Sequence, residues 1–158
     1  GKYLCKNLAK LGFKILIYEK YLKKKIFKKK NISFVSLNKL MEASDIISLN
    51  VNNQKNNTDF INKKNLNKCK KKPIFINTSR GEYVNEKDLI DSINKGNIFS
   101  AYIDVVKNEQ EKELINKNLY KMSNRGKIHI FPHIGGTTKK ALIYTEKLVI
   151  NKFIKFKK

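Results

Sequence analysis

The sequence predicts an α/β protein built on a doubly wound parallel sheet, and two observations carry that prediction. Short apolar runs of strand length alternate with amphipathic helical stretches along the whole chain. Turn and cap residues punctuate the alternation: Gly12 and Gly96 stand just past helical stretches, Asn85 opens one, and Pro132 closes the last strand. The chain's 158 residues suffice for one ordinary domain with a real core, and no repeat or second domain is visible.

Residues 2–11 place apolar side chains at 4, 8 and 11, a helical spacing that Gly12 ends. The run 14–20, KILIYEK, suits a strand buried on both faces. Residues 32–36 form a weaker strand, and 37–43, LNKLMEA, a short helix. DIISLNV at 45–51 and KPIFINTS at 72–79 are two further buried strands, with a helix expected between them over 58–70. Residues 85–96 read as an amphipathic helix capped by Asn85, and 98–106, IFSAYIDVV, as the next strand. Residues 107–126 are polar and loop-like, with a short helix near ELINKNLY. KIHIFP at 127–132 is the last strand, and a long amphipathic helix fills 138–156, with Thr137 or Thr138 as its cap. The chain opens on a helix with no strand before it, and on Gly1 rather than Met, so it reads as a segment of a longer protein.

The formal net charge of +22 raises nucleic acid or an anionic surface as partners. Only Arg80 and Arg125 are arginines, however, and the lysines are spread along the chain among many Asn and Ile. That pattern matches the codon drift of an AT-rich genome, so nucleic-acid binding is the lesser reading. No apolar run is long enough to span a membrane. Two cysteines, Cys5 and Cys69, suggest neither a disulfide framework nor a metal site, and a reduced cytoplasmic protein fits best.

Three stretches stand at predicted strand carboxyl ends: INTSRGEYVN (76–85), YIDVVKNEQ (102–110) and FPHIGGTT (131–138). Ligands of open α/β sheets bind at that edge. Arg80, Asp104, Glu109 and His133 therefore converge on one crevice, a fixed cation with two acids and a histidine. Such a set suits anion binding with proton transfer. An Arg kept where Lys is everywhere else suggests a role that Lys cannot fill.

These motifs resemble the nucleotide-binding domain of the D-isomer-specific 2-hydroxyacid dehydrogenases, over essentially the whole chain. The matching stretches are Asn77-Thr78-Ser79-Arg80-Gly81, Ile103-Asp104-Val105-Val106 and Pro132-His133-Ile134-Gly135-Gly136, in the family's order. The resemblance implies a Rossmann-like fold whose first strand and start of the glycine fingerprint are missing, Gly1 standing as the third fingerprint glycine. The whole of 1–158 is then a partial NAD-binding domain. The substrate domain lies outside the segment, which alone is expected to be inactive. Glu19, after the second family strand, would take the adenine ribose hydroxyls and favour NAD over NADP. Asn50 replaces a His in the loop that flanks the cofactor.

The implied reaction is NAD-dependent oxidation of a D-2-hydroxy acid or reduction of its 2-oxo partner. Arg80 would hold the substrate carboxylate, His133 would transfer the proton, and Glu109 would bond the imidazole and favour its charged form. Glu109 keeps its distance of five from Asp104, although Lys107 and Gln110 depart from the family's run and Glu111 is a neighbour. Asp104 would contact the nicotinamide side, Thr78 would line the pocket, and Gly135 and Gly136 would admit the nicotinamide. The Pro-His-Ile-Gly-Gly-Thr-Thr form resembles the phosphoglycerate dehydrogenase branch, which makes 3-phosphoglycerate and serine biosynthesis the favoured expectation. A homodimer through this domain is also implied. A non-catalytic NAD-sensing interaction protein is the alternative. His129 reads as structural.

Overall fold

The computed structural model describes residues 1–19, 30–51, 57–111 and 116–156. Its elements run α1 (Lys2–Lys10), β1 (Ile15–Ile17), β2 (Ile32–Phe34), α2 (Leu37–Ala43), β3 (Ile46–Leu49), α3 (Lys63–Leu66), β4 (Ile74–Asn77), α4 (Glu86–Asn94), β5 (Ser100–Ile103), α5 (Lys117–Asn124), β6 (Ile128–Ile130) and α6 (Lys139–Phe156). Every strand pairing among the described residues is parallel. The predicted α/β alternation is therefore the architecture, but the described strands fall into two hydrogen-bonded sheets. One is β1-β2 and the other is β3-β4-β5-β6.

The core lies on one face of the larger sheet. Ile47, Leu49, Phe75, Ala101, Ile103 and Ile128 are buried with Met41 of α2, Leu66 of α3, Leu89 and Ile93 of α4, and Leu119 and Met122 of α5. On the other face Ile46 is 53% exposed and Tyr102 is exposed, stacked on His129 with ring centroids 4.4 Å apart. The expectation of strands buried on both faces is corrected for β3, which alternates exposed and buried. His129 is packed in this stack, in keeping with a structural role.

Helix ends follow the local chemistry. Ser36, Asn85 and Asn116 accept first-turn N–H groups of α2, α4 and α5. Thr138 Oγ1 accepts the Ala141 N–H, so Thr138 caps α6. Gly12 and Gly96 take left-handed φ of 87° and 75° past α1 and α4, where a side chain would be strained.

The helix expected over 58–70 is corrected to the single turn α3. Asp59 has φ 48°, Ile61 makes a parallel bridge to Val84, and Asn62 forms a reciprocal capping box with Asn65. Backbone bonding across to 82–85 thus replaces a helical start. The strands are also shorter than their apolar runs, and the helix near 113–120 lies at α5, with 112–115 outside the described residues. Cys69 is buried, which pushes its thiol up to about 11 and leaves it inert. No described helix is long and apolar enough to cross a membrane.

Candidate active site

The site is built at the carboxyl ends of β3 to β6. Asn77 ends β4 on the inward side and is only 1% exposed. Its Oδ1 accepts the Ser79 N–H at 3.0 Å and its Nδ2 donates to the Arg80 carbonyl at 3.0 Å. Buried Ser79 donates to the Leu49 carbonyl and accepts from the Val51 N–H, both at 2.9 Å, tying this turn to the end of β3. Arg80 is thereby carried on a backbone fixed by the Asn77 and Ser79 side chains, with its guanidinium donating to the Ser79 carbonyl at 2.7 Å. Thr78 lies exposed in the same turn.

Asp104 follows β5 and is 8% exposed. Its Oδ1 accepts the Ile134 N–H and its Oδ2 the Gly135 N–H, each at 2.9 Å. A Cβ at Gly135 would stand 2.7 Å from that Oδ2. Both Asp104 oxygens thus hold the loop after β6. Gly135 admits this carboxylate, while a Cβ at Gly136 would meet nothing within 4 Å.

That loop presents His133 in the left-handed region, φ 51°. The His133 Nδ1 lies 2.7 Å from Glu109 Oε1, with the two side chains 42% and 32% exposed. With the Glu109 carboxylate as acceptor, Nδ1 is the donor of this contact and Nε2 is left for other chemistry. The Thr137 hydroxyl donates to the His133 carbonyl at 3.0 Å. Arg80 and Glu109 stand on the wall of one cavity of about 440 Å³, with Gly81, Glu82, Tyr83 and Glu111. The structure thus joins Glu109 to His133 by contact and to Arg80 by a shared wall.

A second cluster lies toward β1. Gly1 is the N-cap of α1, contributes no side chain to the first-turn N–H groups, and has no acid in that turn beside it. A Cβ on Gly1 would stand 3.7 Å from the Asn50 Cβ, so this helix start and the end of β3 adjoin. Asn50 itself donates to the Ser48 carbonyl and hydroxyl. Glu19 is exposed just past β1. Backbone N–H donors at a glycine-started helix suit a pyrophosphate, and a carboxylate acceptor beyond the next strand suits a ribose diol, so these residues fit a dinucleotide.

Sequence reasoning gave no separate role to Asn77, Ser79, Gly81 and Glu86, which hold the site's turns in place. Their one signal is polarity inside or just after apolar runs, as in IFIN-TS. A Cβ at Gly81 would stand 2.1 Å from the Val106 carbonyl carbon, so two backbones pass there in contact.

Residues 1–135 match the family model described as D-isomer specific 2-hydroxyacid dehydrogenase, NAD binding domain. A glyoxylate reductase of Thermococcus litoralis is 33% identical over all of this chain and 46% of its own length. A hydroxypyruvate reductase of Blautia hydrogenotrophica is 35% identical over 71% of this chain and 34% of its own. The crystal structure of a D-lactate dehydrogenase from Aquifex aeolicus, complexed with NAD and lactic acid, superposes with a TM-score of 0.81 at 27% identity. That match covers 98% of this chain and 50% of the other. The chain spans about half the length of the curated relatives it matches, or less.

Proposed function

Because the chain belongs to the D-isomer specific 2-hydroxyacid dehydrogenase family, through its NAD binding domain, we propose that it forms the cofactor-binding half of an NAD-dependent oxidoreductase of small 2-hydroxy and 2-oxo acids. The observation that carries the proposal is the 2.7 Å contact of His133 Nδ1 with Glu109, beside a cavity whose wall bears Arg80. Gly1, Asn50 and Glu19 hold the adenosine and pyrophosphate side of NAD, and Thr78, Asp104, Gly135 and Gly136 border the nicotinamide. When bound, the dinucleotide supplies or accepts the hydride.

Arg80 binds the substrate carboxylate through paired N–H donors and draws electron density from the adjacent carbonyl. His133 Nε2 gives a proton to the carbonyl oxygen in reduction and takes it back in oxidation. Glu109 holds Nδ1, fixing the ring's orientation and supporting the imidazolium. Homodimeric assembly through this domain, in the cytoplasm, is part of the same proposal.

For the substrate, the expected 3-phosphoglycerate gains no support from the relatives above, which are named for glyoxylate, hydroxypyruvate and D-lactate. The described cavity wall opposes a phosphate as well: Glu82, Glu109 and Glu111 stand with Arg80, the wall's one described cation. A compact 2-oxo acid with an uncharged side chain fits better. The test follows NADH absorbance in the full-length protein with glyoxylate, hydroxypyruvate, pyruvate and 3-phosphohydroxypyruvate. Turnover of the first three, with kcat/KM lowered on the order of a hundredfold in Arg80→Lys, is expected. A folded, NADH-binding protein that turns over none of them would leave the NAD-sensing alternative in its place.

A further inference from the structure

The turn that carries Glu109 is held by residues the proposed chemistry does not use. Gly81 brings its backbone against Val106 and Lys107, so closely that a Cβ would stand 2.3 Å from the Lys107 nitrogen. Glu86, in the first turn of α4, accepts the Lys107 N–H on Oε1 at 2.8 Å. The Lys107 ammonium pairs with Asp59 Oδ1 at 3.7 Å, and Asn108 follows with φ 56°. Glu109 comes next and reaches His133. One residue, Asn108, therefore stands between Lys107, whose amide Glu86 holds, and Glu109, whose carboxylate meets the imidazole.

We propose that Glu86 is a positioning residue for the His133–Glu109 pair: by fixing the Lys107 amide it sets where Glu109 presents its carboxylate. The inference rests on the reading of that pair as the proton-transfer unit. Burial pushes the Glu86 carboxyl up, while the Lys107 amide, the Asn116 side chain and the Lys107 charge draw it down, and Glu82 adds to the rise. Glu86 thus contacts both described ends of the segment from Lys107 to Asn116. Its place in the first turn of α4 also suits the helix dipole, a purely structural benefit that the test must separate.

Proton NMR of the full-length protein reads the low-field imidazole N–H signal of His133 bonded to Glu109, assigned by its loss in His133→Asn. The signal is expected to persist in Glu86→Gln, which keeps an acceptor at the same reach. It is expected to broaden away in Glu86→Ala and in Glu86→Asp, which keeps the charge but is a methylene too short. In step, kcat/KM falls on the order of tenfold in the Ala and Asp variants and little in Gln, the cost of a slightly misplaced group. The Ala loss disappears in a Glu109→Gln background. A signal unchanged in both Ala and Asp variants, or losses that simply multiply in the double variant, overturns the proposal. Glu86→Asp decides the matter if Glu86→Ala does not fold. A responsive signal in a protein without turnover removes the proposed reaction and keeps the positioning role; a wild-type spectrum without the signal removes the positioning role.

Discussion

At His133 the backbone is as uncommon as the side chain is purposeful. A φ of 51° is tolerated by Asn and strained for a β-branched residue. His133→Asn therefore removes the imidazole with little backbone cost. It is expected to lower kcat by about 10²–10⁴-fold, the range for losing a general acid–base group, with an unchanged melting temperature. His133→Val carries the same chemical loss and adds about 1–3 kcal/mol of strain, read as a lower denaturant midpoint. Equal stability of the two variants would show that the loop relaxes freely and that the strain is not held. The placement of Arg80, Glu109 and His133 near one sheet edge was legible because each lies in a short motif at a strand end. The bonding done by Asn77, Ser79 and Glu86 was not, because the backbone amides and carbonyls they meet are brought close only by the fold.

At the scale of elements, legibility tracked how local the determining chemistry is. The helix 37–43 was read to its ends, since Ser36 caps it and its pattern is self-contained. The segment 58–70 was misread because its bonding is to 82–85, beyond any window of helical periodicity. The same scale holds a pH prediction. Glu86 in α4 is raised by burial above its ordinary 4.5. Below that value the carboxyl is protonated in folded and unfolded chains alike. As pH rises the unfolded chain ionises first, so the stability present at low pH is lost as pH passes through the raised folded value. Glu86→Gln cannot ionise and should lack this loss. Urea unfolding below pH 4.5 and at neutrality is expected to show the variant gaining on wild type as pH increases. A constant difference between the two proteins would mean that the Lys107 and Asn116 contacts cancel the cost of burial.

For the whole molecule, the sequence yielded the parallel alternation but not the division between β1 and β3, because strand propensity says nothing of which strands are hydrogen-bonded neighbours. Nor does formal charge say where a field acts. Among the described residues, lysines pair with carboxylates at 3.2 to 3.8 Å in three places; such pairing leaves the net charge at +22, which already counts every carboxylate. The cavity wall runs the other way, with three glutamates around Arg80. Under the proposed function, an anionic 2-oxo acid is drawn toward the molecule by the distant lysines and held at the wall by one guanidinium. The Debye length is ~10 Å at 0.1 M salt and ~3 Å at 1 M, so salt screens the first attraction far more than the second. KM for a 2-oxo acid in the full-length protein is expected to rise several-fold across that range while kcat stays level, the signature of a field that concentrates substrate without entering the chemistry. A KM independent of salt would make the lysines a compositional bias with no bearing on catalysis. A kcat that falls with salt while KM holds would instead locate the sensitive charges at the His133–Glu109 contact itself.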